Sequence, residues 1–175
     1  ALDLVDVLRA KQKAIEEHLE EIFPPIKHSE WFTPKVNNAK RGYVAGQPFE
    51  KIRYEKFNPG SRQQIVDRLT RKYGWKPERK TEKGNPILND EVLERLPYPE
   101  AKPLAEYMLI KKRLGQIADG SNAWLKLVDN QTSRMHGNVI TNGCITGRAA
   151  HKSPNLGQVP AGYSPYGHEC RSLFH

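Results

Sequence analysis

Residues 136–167 read HGNVITNGCITGRAAHKSPNLGQVPAGYSPYG, and the fold turns on how this stretch is taken. RMHGNVI and CITGRAA are β-like runs joined through TNG, where Asn142-Gly143 is a strong hairpin signal. SPNLGQVP and SPYG, which follow, are rich in turn residues. A hairpin alone is marginal in water, so the pattern predicts the first piece of a sheet completed elsewhere. The chemistry of the stretch is one-sided. It carries Arg148, Lys152 and two histidines, and from His136 to the end of the chain the only acid is Glu169. That composition suits contact with phosphate or bases, and it offers no carboxylate set to hold a catalytic metal.

Upstream of it the chain reads as mostly helical. Leu8, Ile15 and Ile22 step by seven, as do Val5, Gln12 and Leu19, with Leu2 leading. This is a narrow apolar seam along one long helix over residues 2–23, stopped by Pro24 and Pro25. Residues 26–57 keep no steady period and predict an irregular connector with one short strand near residues 51–57. In FNPGSRQQIVDRLTRKYGW, Ser61 followed by Gln64 is a capping box and Gly74 a helix stop. The helix start, with Arg62 beside it, is a natural phosphate seat. A polar loop over 75–89 leads to a short helix capped by Asp90. A second long helix then runs from Pro99, carrying Lys111, Lys112 and Arg113 on one turn and bending or breaking near Gly120.

Bulk properties narrow the function. Twenty-eight Lys and Arg stand against 20 Asp and Glu, a net charge of +8, which favours polyanionic partners. No apolar run approaches the ~20 residues of a membrane helix, and ALDLVDVLRAKQ is amphipathic rather than a signal peptide. Cys144 and Cys170 form no CxxC, and the six histidines lack zinc spacing, so neither a disulfide framework nor a metal site is predicted. Clustered Asp, Glu and His of the kind a nuclease needs are absent.

Several blocks in sequence then become specific: GYVAGQPF, FNPGSRQQI, GNPILNDEVLERL, LIKKRLGQIADGSNAWL, HGNVITNGCITGRAAHKSPNLGQVP and YGHECRSLF. In this order they resemble family A (Pol I-like) DNA polymerases, most closely the replicative enzymes of short-tailed coliphages. The resemblance implies an α+β fold. Residues 1–130 would be a mostly helical thumb with long antiparallel helices, and 131–175 the first β-hairpin and N-terminal piece of a palm. It implies primer–template DNA as partner, together with the remaining palm and fingers in the same or another chain. On the thumb it implicates Ser61 and Arg62 at the tip, and Lys112, Arg113 and Gln116 along the primer strand. In the palm piece Arg148 matches an arginine that reaches the minor groove, and Asn155 and Gln158 match polar residues near the template.

No catalytic residue is implied within the chain, because the family's metal-binding aspartates and their Mg²⁺ fall after residue 175. The setting implied is a bacterial host cytoplasm. Gly157 and Tyr163 stand where many relatives have Gln and Arg, so those two contacts are not carried over. Only VNNAKR lies between EWFTPK and GYVAG, so the coliphage enzymes' binding of thioredoxin is not carried over. The competing expectation is a stand-alone, non-enzymatic DNA-binding or clamp-like accessory.

Overall fold

The computed structural model describes residues 2–174, and it is built around two antiparallel helices. α1 (Leu2–Ile22) and α4 (Ala101–Leu114) lie side by side in opposite directions, with a hydrophobic cluster at each end of the pair. Where the α1 seam is interrupted, Gln12 donates 3.2 Å to the Tyr107 hydroxyl, which itself donates 2.8 Å to Glu16. Burial and that carboxylate push the Tyr107 hydroxyl up to about 12. Gln12 therefore satisfies a buried phenol, which explains a polar residue on an apolar stripe.

At one end, Leu19 and Phe23 meet Ile65, Val66 and Leu69 of α2 (Arg62–Tyr73) and Leu104 of α4. Local chemistry sets both ends of α2. The Ser61 hydroxyl accepts the Gln64 amide at 3.4 Å, and Gly74 ends the helix at φ 70°. The second half of the capping box is rerouted: the Gln64 side chain accepts from the Asn58 amide and donates to Glu55. Glu100, 5% exposed, ties α2 to the start of α4 by accepting from Lys72 at 2.5 Å and Tyr73 at 2.6 Å. Burial alone would push this carboxyl up. The hydrogen bonds from Lys72 and Tyr73 outweigh it and hold the group below the ordinary carboxylate range.

Three expectations are corrected, and one, the break near Gly120, is met. Residues 26–57 are a connector only in part: β1 (Ile26–Phe32) pairs antiparallel with β2 (Phe49–Glu55) as a two-stranded ribbon. Both faces of the ribbon are largely solvated, so no burial alternation marks β1 in the sequence. Phe32, Tyr43 and Phe49 close its tip, with ring centroids 4.8–6.0 Å apart. The buried Arg68 fixes its base, donating to the carbonyls of Pro24 and Glu55 on either side of the ribbon. Second, α3 (Asp90–Glu94) is capped by the Asn89 side chain rather than by Asp90.

Third, the helix from Pro99 begins at Ala101 and widens into a π turn over Gly115–Asp119 before Gly120 ends it. A Cβ at Gly120 would strike the Gly115 carbonyl, so the turn needs glycine there. After it comes α5 (Trp124–Leu127). Fourth, β3 (Asn138–Ile140) and β4 (Ala150–Lys152) pair as expected, but the chain does not reverse at Asn142-Gly143. Asn142, at φ 57°, opens a first turn, and the reversal follows at Cys144–Gly147, closed by the Cys144 amide on the Arg148 carbonyl. Finally α6 (Gly167–Arg171) brings Cys170, with Leu173 and Phe174 beyond it, against Trp124, Ile117 and Leu114. Cys170, Leu173 and Phe174 therefore share one core with the helical portion. The architecture is α+β, with two small antiparallel hairpins on a helical body.

Candidate nucleic-acid interface

Arg62 and Lys112, fifty positions apart in sequence, line one groove. Its volume is about 570 Å³, and its walls are Gly60, Arg62, Gln63, Thr81, Asn85, Pro86, Met108, Lys111 and Lys112. It contains no Asp or Glu. The groove opens at the start of α2, where Ser61 takes the Gln64 amide, while the amides of Arg62 and Gln63 have no intrahelical acceptor. The Lys111 ammonium reaches across from α4 and lies against Gly60, so close that a Cβ at position 60 would displace it. An ammonium beside the positive end of a helix dipole is a like-charge arrangement, and an anion between them relieves it.

A second groove, of about 370 Å³, continues along the same helix. Gly115, Gln116, Gly120, Ser121, Asn122 and Trp124 face His151, Lys152, Ser153, Pro154, Asn155 and Gln158 across it, again with no carboxylate. Gln116 is fixed there by donating 3.2 Å to the Gln158 carbonyl. The Asn155 side chain accepts the Gly157 amide at 3.1 Å and so shapes the turn that presents Gln158. Lys112 and Gln116 are one turn apart, so the two grooves follow each other along α4 and its π extension.

Seven of the eight sequence-predicted residues lie on or beside this surface or on an exposed loop, and one does not. Ser61, Arg62 and Lys112 gather at the first groove, and Gln116, Asn155 and Gln158 at the second. Arg148 stands apart on the exposed β3–β4 connection. Arg113, expected along the primer strand with Lys112, does not share its exposed face: it is 6% exposed and turned inward. Its guanidinium donates 3.1 Å to the Gln116 side chain and 3.5 Å to the Pro165 carbonyl, and its Nε has no partner among the described residues. Thr81, Asn85, Ser121 and Asn122 were not predicted; they reach the grooves through turns that local sequence patterns do not reveal. His151 and Lys152, singled out in the sequence only as part of the basic stretch, reach the second groove from β4. Three nearby acids lie elsewhere: Glu94, Glu106 and Glu169, with Lys102, line a separate groove on another side of α4.

Among the described residues no three His, Cys, Asp or Glu come together as a metal site, and no helix is long and apolar enough to cross a membrane. The two grooves offer cations, amides and helix-start N–H groups one after the other along α4, a donor set for phosphates and base edges.

Comparison with known proteins identifies the family. The chain is 45% identical over 140 residues to the DNA-directed DNA polymerase of Escherichia phage T7, and equally to that of Enterobacteria phage T3; the match covers 77% of this chain. It spans only about a fifth of the length of those relatives. DNA polymerase I of Treponema pallidum is 29% identical over 118 residues, 67% of this chain and 11% of that protein. Among solved structures, the POL domain of Pol1 from M. smegmatis, in complex with DNA primer-template and dNTP, has the same fold. Its TM-score is 0.68 over 98% of this chain and 24% of that one, at 16% identity. The sequence model of DNA polymerase family A matches residues 37–175, and the chain belongs to that family.

Proposed function

We propose that this chain is the duplex-gripping part of a template-directed DNA polymerase, with residues 1–130 as thumb and 131–175 as the start of the palm. The observation that carries the reading is the carboxylate-free donor track from the start of α2, along α4, to Asn155 and Gln158. Arg62 and Lys112, joined by the Ser61-capped helix start, hold backbone phosphates and add grip without sequence information. Gln116, Asn155 and Gln158 meet the primer and template strands farther along. Arg148, free on its loop, enters the minor groove, where every base pair presents acceptors, so one guanidinium tests pair shape without reading sequence. Arg113 acts through Gln116, whose amide it orients from inside.

Family A polymerases add nucleotides with divalent metal, here Mg²⁺, held by clustered carboxylates. The residues of this chain do not fit such a site: its two grooves hold no Asp or Glu, and the described residues form no ligand cluster. The ion's ligands belong to the remaining palm, in the same or another chain, and no chemical step is assigned to these 175 residues. Catalysis requires that partner portion. A thioredoxin-type processivity factor is not part of the proposal, and the setting is the cytoplasm of a bacterial host.

The test is fluorescence anisotropy with the 175-residue chain, using a recessed primer–template and a blunt duplex of equal length. The recessed end binds more tightly, and Arg148→Ala removes the preference while leaving blunt-duplex affinity nearly unchanged. Equal binding of the two DNAs by the wild-type chain would overturn the reading in favour of a non-enzymatic DNA-binding accessory.

A further inference from the structure

The β1–β2 ribbon is absorbed by nothing above. Its register places Lys27 opposite Tyr54, Ser29 opposite Ile52 and Trp31 opposite Glu50. Side chains alternate across a strand, so Lys27, Ser29, Trp31, Glu50, Ile52 and Tyr54 share one face. On it Trp31 is 66% exposed, Tyr54 66% and Ile52 46%. The other face is polar: His28 pairs with Glu55 at 2.8 Å, with Glu30, Lys51 and Arg53 beside them. One side of the ribbon thus carries two aromatic rings and an isoleucine that no third strand or helix covers among the described residues.

We infer that the Trp31–Ile52–Tyr54 face is a stacking platform for single-stranded DNA. Charge argues for a nucleic acid. Residues 26–56 carry seven Lys and Arg against three Glu. Lys27 shares the apolar face, and Lys35, Lys40 and Arg41 stand exposed in the loop at its far end. The single acid on the face, Glu50, is engaged by the Ser29 hydroxyl at 2.5 Å. The core of a protein-docking patch is depleted in charge, whereas here cations lie at both ends of an aromatic row, the combination that binds single strands.

Spacing argues against duplex. Ile52 and Tyr54 are two residues apart on one strand, about 6.8 Å, and the Trp31 pair is one such step beyond the Ile52 pair. Bases stacked in a duplex are about 3.4 Å apart and closed to a side chain's ring, so only an unstacked strand can lay successive bases on this row. The inference stands on the ribbon and does not depend on the polymerase reading.

The experiment uses the 175-residue chain, labelled dT12 and a 12-base-pair duplex at about 50 mM salt. Trp31 is the most exposed tryptophan, so dT12 quenches fluorescence as it binds. Trp31→Ala with Tyr54→Ala weakens dT12 roughly a hundredfold, about tenfold for each ring, and leaves duplex binding intact. Trp31→Phe keeps most of the affinity and loses most of the quench. Since both rings are exposed, the variants fold, and circular dichroism verifies it. The inference is overturned if the double variant binds dT12 like the wild type, or if the duplex displaces dT12 from the ribbon at equal concentration. It is also overturned if sedimentation shows the face occupied by a second copy that Trp31→Ala releases. A wild-type chain that grips duplex but ignores dT12 sinks this inference alone; the reverse pattern sinks the proposed duplex grip alone.

Discussion

Replacing Lys111 and Lys112 by alanine removes the two ammonium groups that α4 holds over the start of α2. Both are exposed and neither makes an ion pair among the described residues, so the fold should be unaffected. If each neutralises one phosphate, each contributes about 0.9 to the slope of log K against log salt concentration. The double variant should therefore have a slope smaller by about 1.8. Taking 1 M as the point where counterion release no longer favours binding, the loss is about 60-fold at 0.1 M salt and about 20-fold at 0.2 M. Anisotropy of a labelled blunt duplex, titrated at five or six NaCl concentrations, reads both the slope and the loss. Gly60→Ala is the companion variant. The new Cβ meets the flexible end of Lys111 and lies 3.1 Å from the Asn58 side-chain oxygen, so it displaces the ammonium at a modest cost to folding and lowers the slope by up to one contact. A slope unchanged in the double variant would refute the reasoning, even if affinity fell, because the groove would then hold no phosphate.

Three further outcomes follow from the same structure. Glu100→Gln should destabilise the fold by roughly 2–3 kcal/mol at pH 7 in urea unfolding, less than a fully buried pair because Lys72 is half exposed. The wild-type carboxyl lies below its ordinary value, so its contribution is complete above the unfolded pKa of about 4.3 and is lost as pH falls through the lower folded value. The gap between the two proteins should therefore narrow only in acid; a gap constant from pH 7 to pH 2 would count against the pair. Gly120→Ala forces a Cβ into the Gly115 carbonyl and should cost about 2 kcal/mol, read as a fall in melting temperature of roughly 4–8 °C. Arg113→Met should leave the salt slope within about half of one phosphate contact, whereas Lys112→Ala lowers it by about 0.9; a full unit lost at Arg113 would place its charge on the DNA after all.

What the sequence disclosed was whatever chemistry is local. Ser61 and Gly74 bound α2 because a hydroxyl acceptor and a left-handed residue act within one turn of the chain. The α1 seam was legible because one face of a long helix is buried. The ribbon was not: β1 exposes both faces, so burial imposes no alternation, and what fixes its register is an aromatic tip and an arginine forty residues away. The Asn142-Gly143 pair misplaced the reversal because a left-handed Asn serves a bulging turn as well as a hairpin end. At the site, resemblance supplied Arg62, Lys112, Gln116, Asn155 and Gln158. That they fall into two adjoining grooves, with Thr81 and Asn85 completing the first, is a property of packing.

The KKR turn shows why composition misleads where packing does not. Consecutive helical residues point about 100° apart, so a run of three cations cannot share one environment. Lys111 and Lys112 face the groove over α2, and the next step brings Arg113 round to the core. There its guanidinium joins Gln116 to the Pro165 carbonyl. Glu106 lies on another side again, in a groove with Glu94 and Glu169. One helix thus turns Lys111 and Lys112 to one face and its single carboxylate, Glu106, with Lys102 beside it, to another. Between them it spends a third charge on holding the track's next donor in place. A net charge spread evenly over the surface would attract DNA without orienting it; in the proposed grip, this sorting around α4 would give the attraction a direction, from the start of α2 toward Gln158.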